Sequence, residues 1–124
     1  MTCDKNDDRE TGSTLKPKYD SNGLLSAVVT DDSSGEVLVI AFMDAQALQM
    51  SQDTGVAHFY SRSRKKLWKK GETSGNILSI VEMRIDCDQD AVWIKAKPAG
   101  PTCHTGATSC FYRVIKNGAL EMVE

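Results

Sequence analysis

The chain has 124 residues, 40% of them hydrophobic and 26% charged, with a formal net charge of −2. That length fits a single domain, large enough to fold without a disulfide scaffold. The charge balance gives no bulk support to nonspecific nucleic-acid binding, and no apolar run approaches the ~20 residues of a membrane span.

Residues 1–18, MTCDKNDDRETGSTLKPK, are polar and aperiodic. They read as a flexible tail ahead of one catalytic domain over 19–124, with Cys3 a bystander in the tail. The N-terminus lacks the basic-then-apolar pattern of a signal peptide. Four cysteines in such a chain are expected to be free thiols or metal ligands, and the expected compartment is the cytoplasm. GLLSAVVT (23–30) and EVLVIAFM (36–43) are apolar and β-branched, and DDSSG between them is turn chemistry, which predicts a hairpin. DAQALQMSQDTG (44–55) predicts a short helix capped by Asp44 and ended by Gly55, with Ala47, Leu48 and Met50 available for packing. VAHFYSRS and KKLWKKG suit two short strands. NILSIVEMRIDC (76–87) is the longest strand candidate, AVWIKAKPAG (91–100) follows it closely, and SCFYRVIKNG (109–118) is expected to close a sheet. The expected class is mainly β with one or two short helices.

Three stretches carry candidate chemistry. DCDQD at 86–90 places three carboxylates and a thiol within five residues. If the segment is extended, Asp86, Asp88 and Asp90 share one face and Cys87 points to the other. Clustered carboxylates repel one another unless a cation neutralises them. Oxygen ligands suit Mg²⁺ or Ca²⁺, whereas a thiolate suits Zn²⁺, so the stretch could serve two metals. The plainer alternative is a solvated acidic turn. It is not an EF-hand loop, because Ala91 stands where that loop needs glycine and Val92 begins a new apolar run.

GPTCHTGATSC (100–110) supplies Cys103, His104 and Cys110. With Cys87 these could give three ligands of a tetrahedral zinc site, and a fourth position left to water would make it catalytic. His104 is then either the fourth ligand or a nearby proton carrier. The alternative is a set of inert, buried thiols. In SRSRKKLWKKGETSG (61–75), six of the fifteen Lys and Arg residues lie between Arg62 and Lys70. A bare charge run is ordinarily a solvated face. Here Ser61, Ser63, Thr73 and Ser74 add hydroxyls, and Gly71 and Gly75 let backbone N–H groups approach a ligand closely. Arg62, Arg64, Lys69, Thr73 and Ser74 therefore become candidate contacts to a phosphorylated small molecule, with Trp68 placed to stack on a base.

SRSRKKLWKKGETSGN, DCDQD and GPTCHTGATSCF, in this order, resemble the phosphoribosyl-AMP cyclohydrolase family of histidine biosynthesis, from about Gly23 to Phe111. Family members often read Met-Asn where this chain has Met43-Asp44, and carry a proline near Ser26; neither position is a candidate ligand. The resemblance implies hydrolytic opening of the N1–C6 bond of the adenine ring of N1-(5-phosphoribosyl)-AMP. It implies a β pseudobarrel or sandwich assembled as an intertwined homodimer. It also implies one Zn²⁺ per subunit on Cys87 of one chain and Cys103 and Cys110 of the other. One Mg²⁺ per subunit is implied on Asp86, Asp88 and Asp90, with a catalytic role for His104. Three thiolates overcompensate the charge of zinc and blunt its Lewis acidity, so a general base is expected to help, and an imidazole titrates in the useful range.

Two other readings compete. A zinc nucleobase deaminase would need His-x-Glu and Cys-x-x-Cys, but His58 is followed by Phe59 and Tyr60 and no Cys-x-x-Cys is present. A zinc-stabilised nucleic-acid-binding module would use the basic run and Trp68, leaving the acidic triplet without a task.

Overall fold

A computed structural model describes residues 9–123. Strands β1 (Leu25–Asp31) and β2 (Val37–Met43) form an antiparallel hairpin, with Leu25 opposite Met43 and Val29 opposite Val39. Helix α1 (Ala45–Thr54) follows. The Asp44 carboxylate accepts the Ala47 N–H at 2.8 Å, and Gly55, at φ 74°, ends the helix by donating its N–H to the Ser51 carbonyl. Both caps satisfy backbone groups that a helix end leaves orphaned. Strands β3 (His58–Ser61) and β4 (Lys66–Lys69) pair antiparallel, as do β5 (Leu78–Ile85) and β6 (Ala91–Pro98). Strands β7 (Arg113–Lys116) and β8 (Ala119–Met122) end the described chain.

The main sheet runs in the order β2-β1-β6-β5. Its central pair, β1 and β6, is parallel, with Val29 opposite Ile94. Parallel neighbours need a long crossover, and here the crossover contains β2, α1, β3, β4 and β5. One face of the sheet is the core: Leu25, Ala27, Val29, Val92, Ile94 and Ala96 point inward from the central strands. Ala47 and Leu48 of α1, Phe59 of β3 and Leu78 of β5 complete it. The period-2 alternation of buried and open positions in β1 and β6 follows from the pleat. Buried Ser51 links α1 to β3: its hydroxyl accepts the His58 N–H at 2.8 Å. His58 is itself buried, its Nδ1 2.9 Å from the Val56 carbonyl, a structural role that agrees with the missing deaminase signature.

The expectation that 109–118 closes a sheet is corrected. β7 pairs only with β8, in a separate two-stranded sheet. The reason is local: Asn117 and Gly118 sit at φ 51° and 78°, and two consecutive positive φ values make the tight hairpin turn that Asn-Gly favours. The segment turns back on itself instead of joining β2 or β5. Of the stretch read as a tail, residues 1–8 and with them Cys3 lie outside the described residues, while 9–18 are held by hydrogen bonds to Gln89. Among the described residues, no helix is long and apolar enough to cross a membrane.

Candidate active site

The β3–β4 hairpin and the loop after it form one wall of a cleft of about 620 Å³. Gly71 shapes that loop. At φ 84°, a Cβ on it would lie 2.5 Å from the Asn76 backbone carbon, so only glycine lets 71 and 76 approach this closely. The opposite wall is the 100–110 loop. Cys110 N–H donates to the Leu38 carbonyl at 2.8 Å, and the Ser109 hydroxyl donates to the Val37 carbonyl at 2.6 Å, which fixes the loop to β2. Within it, Cys103 N–H donates to Ala107 and Gly106 N–H returns to Cys103. The Asn76 side chain wedges the two walls together: a Cβ on Gly100 would meet its Oδ1 at 2.5 Å.

The cleft brings together Arg64, Trp68, Lys69, Thr73 and Ser74 on one side with Cys103, His104 and Cys110 on the other. These come from two stretches well separated in sequence, 64–74 and 103–110. Arg62 does not line it; its guanidinium lies 4.0 Å above the Phe42 ring. Sequence reading passed over Lys70, Asn76 and Thr102, which also line the cleft. The Lys70 ammonium donates to the Thr102 carbonyl and so spans the two walls. Nothing in the basic run distinguished Lys70 from Lys69, because only the fold decides which lysine turns inward. Thr102 is buried with its hydroxyl unpartnered.

The thiols of Cys103 and Cys110 meet. Hydrogen bonds from Thr105, whose hydroxyl lies 3.1 Å from the Cys103 sulfur, pull the Cys103 thiol below its ordinary range against an opposing burial effect. The Cys110 hydrogen bond and the Lys70 charge add to the lowering. Cys110 is exposed as a residue, but crowding of its thiol, then the charge and hydrogen bond of Cys103, push it up to about 11. The proton affinities of the two thiols are thus pushed apart, Cys103 being the readier of the two to ionise, with an ammonium nearby. That soft donor pair fits zinc, which binds the deprotonated form.

Cys87 lies elsewhere, exposed beside the acidic stretch. The two-face reading of DCDQD, which holds only for an extended segment, is corrected in favour of the acidic turn given as its alternative. β5 ends at Ile85 and β6 begins at Ala91, so the five residues form a turn, with Gln89 at φ 60°. The carboxylates converge because the turn folds them inward, and pleat alternation plays no part. Asp86 accepts the N–H groups of Asp90 and Ala91 at 2.9 and 3.1 Å. Ligand oxygens of Asp86, Asp88 and Asp90 lie within 4.8 Å of one another, the one such metal-competent group of three among the described residues. Hydrogen bonds to Asp86 and Asp88, with the crowding and charge that accompany them, push Asp90 up to about 6. Burial opposes ionisation of Asp86, yet the hydrogen bonds from the Asp90 side chain, the two N–H groups and Asp88 hold it below the carboxylate range. A shared proton among three carboxylates is what a hard divalent cation would replace, so the donor set fits Mg²⁺.

Comparison with known proteins places these features. The family model for phosphoribosyl-AMP cyclohydrolase matches residues 39–112, which include the basic loop, the acidic turn and the cysteine loop. A phosphoribosyl-AMP cyclohydrolase of Rhizorhabdus wittichii is 62% identical over 108 residues, covering 87% of each chain. The protein of that name from Brucella anthropi is 56% identical over 117 residues, 91% of this chain and 83% of the relative. That from Erythrobacter litoralis is 56% identical over 117 residues, 94% of both chains.

Proposed function

The chain belongs to the phosphoribosyl-AMP cyclohydrolase family, and from that premise we propose how its residues open the N1–C6 bond of N1-(5-phosphoribosyl)-AMP in histidine biosynthesis. The observation that carries the reading is the cleft that faces Cys103, His104 and Cys110 across to Arg64, Trp68, Lys69, Thr73 and Ser74. Arg64 and Lys69 neutralise substrate phosphate, Thr73 and Ser74 donate hydrogen bonds to it, and Trp68 packs on the purine. N1 substitution makes C6 electrophilic. His104, on the cleft wall beside Cys103, removes a proton from the attacking water and returns it to the ring nitrogen as the ring opens. Lys70 holds the Thr102 carbonyl and keeps the cysteine wall in register with the phosphate wall. Arg62, stacked on Phe42, is assigned to the rim.

Zinc, when bound by Cys103 and Cys110 together with Cys87 of the partner subunit, supplies Lewis acidity toward water. Two observations support the shared set: the Cys103 and Cys110 thiols meet, while Cys87 sits in no three-ligand group among the described residues. A homodimer also gives the β7–β8 hairpin a partner. Ile115, Leu120 and Met122 are 81%, 55% and 65% exposed, more apolar surface than one isolated hairpin ordinarily leaves in water. The pseudobarrel is proposed for that assembled form. Magnesium on Asp86, Asp88 and Asp90 supplies a hard cation for a phosphate. Three unpaired thiols among the described residues suit a reducing compartment, which supports a cytoplasmic location.

Incubating the full chain, loaded with zinc and magnesium, with N1-(5-phosphoribosyl)-AMP tests the reading. Ring opening followed by ultraviolet absorbance is the expected result. Tight binding of the nucleotide without any spectral change would leave a binding module in its place.

A further inference from the structure

Gln89 stands between two of the three acidic residues yet does the opposite of what they do. It is 4% exposed, in a turn whose Asp86 and Asp90 neighbours are exposed. Its left-handed backbone, φ 60°, turns the side chain away from the carboxylates. The side chain is then fully used by a segment some seventy residues earlier. Its Oε1 accepts the Lys16 N–H at 2.7 Å. Its Nε2 donates to the carbonyls of Arg9 at 2.7 Å and Thr14 at 3.3 Å. Its backbone carbonyl accepts the Lys18 N–H at 2.6 Å, and its own N–H donates to the Asp86 carbonyl at 3.0 Å. The Arg9 Nε bonds the Lys16 carbonyl at 2.9 Å, which closes residues 9–16 into a loop around the amide. Nearby, Leu15, still half exposed, borders a hollow of about 150 Å³ with Met83, Ile85 and Val92, on the two strands that carry the turn.

We propose that Gln89 is a positioning residue for the acidic turn, clasping residues 9–18 as a strap, so that strap docking and cation binding at Asp86, Asp88 and Asp90 favour each other. The inference rests on the reading of the triplet as a Mg²⁺ site. The physical reason is pre-organisation. Three like charges splay apart when the turn is free, and a turn fixed from behind by four hydrogen bonds leaves less ordering for the cation to impose. Coupling of this kind is reciprocal: the factor by which the docked strap tightens the cation equals the factor by which the cation tightens the strap.

Amide hydrogen exchange at Lys16 and Lys18 reads the strap, and calorimetric titration with Mg²⁺ alone reads the turn, both on the full chain. In the wild type, saturating Mg²⁺ should slow exchange at both amides by about three- to tenfold, the range set by about one net hydrogen bond. Gln89→Ala, which keeps every carboxylate, should weaken Mg²⁺ binding by the same factor and abolish the effect of Mg²⁺ on exchange. Lys16→Pro, which removes the partner N–H from the other side, should weaken Mg²⁺ binding equally and abolish its effect on exchange at Lys18, and the double variant should bind Mg²⁺ no more weakly than either single one. Wild-type Mg²⁺ binding with no change in exchange at Lys16 and Lys18 would overturn the coupling, even if a variant failed to fold. So would wild-type affinity in folded Gln89→Ala. Failure of the wild type to bind Mg²⁺, or binding that survives Asp88→Asn unchanged, would overturn the coupling together with the assignment of the triplet.

Discussion

Asp86 and Asp90 belong to one short turn, and the turn moves their proton affinities in opposite directions. Hydrogen bonds to Asp86 and Asp88 raise Asp90 from 3.8 to about 6. The folded chain therefore holds this proton over a window where the unfolded chain has released it. Asp90's contribution to stability is present on the acid side and lost as pH rises through about 6. Asp86, held below its ordinary value, behaves in the reverse sense: its contribution is present above that value and lost as pH falls through the lowered one. Asp90→Asn cannot ionise, so the metal-free variant should melt at a higher temperature than the wild type at neutral pH. The two Tm values should converge at the acid end of the window. Calorimetric scans with a chelator across that range check it, and equal pH slopes in both proteins would contradict the shared proton. Lys70 offers a second test in the cleft. Lys70→Met keeps the stem and loses the donor to Thr102, a charge-assisted bond of the kind worth about 1.5–3 kcal/mol. It should lower unfolding stability in denaturant titration by about 1–2 kcal/mol and hasten zinc loss to a chelator. Unchanged zinc retention would remove Lys70 from the support of the cysteine wall.

The loop after β4 and the hairpin at the end of the described chain show two ways in which local sequence becomes geometry. Gly71 and Gly75 both have positive φ, 84° and 80°, but only Gly71 faces backbone where a side chain would go. Gly75→Ala should therefore cost only the left-handed penalty, about 1 kcal/mol. Gly71→Ala must also move Asn76, which wedges the two walls, and should cost about 2 kcal/mol or more. It should raise KM for the nucleotide, whereas Gly75→Ala leaves it nearly unchanged. Steady-state kinetics and thermal melts on the pair decide between close packing and turn conformation as the source of the effect. In β7–β8, Asn117-Gly118 was a hairpin signal present in the sequence. The stretch expected to close a sheet, 109–118, ends at that dipeptide, so it holds β7 and leaves β8 outside.

At the scale of the whole molecule, Cys87 and the Cys103–Cys110 pair sit apart within one chain, and the proposed zinc set needs two. Cys87→Ser and Cys103→Ser homodimers should each be inactive, since every site lacks a ligand. In a mixed dimer one site regains all three thiols while the other loses two. Random exchange makes about half of the dimers mixed, so activity should return to about a quarter of wild type under two-fold pairing. Co-expressing two differently tagged chains isolates the mixed species. Purified mixed dimers with no activity would place the zinc within a single chain.

What the sequence determined by itself was whatever depends on neighbours in the chain. Asp44 and Gly55 cap α1 because caps act within one helical turn, and Leu25 to Met43 fold back as a hairpin because DDSSG turns and the flanking runs are apolar and β-branched. The three chemical stretches were legible too, since their residue types sit close in sequence. Tertiary structure decided what depends on direction. It set the parallel pairing of β1 with β6 across a long crossover. It turned Lys70 into the cleft and left Arg62 on Phe42. It chose the acidic turn over an extended segment for DCDQD, with the Asp86 carboxylate accepting two backbone N–H groups there. It also brought Gln89, one amide among four neighbours with stronger chemical signals, under residues 9–18, a pairing that no local pattern encodes.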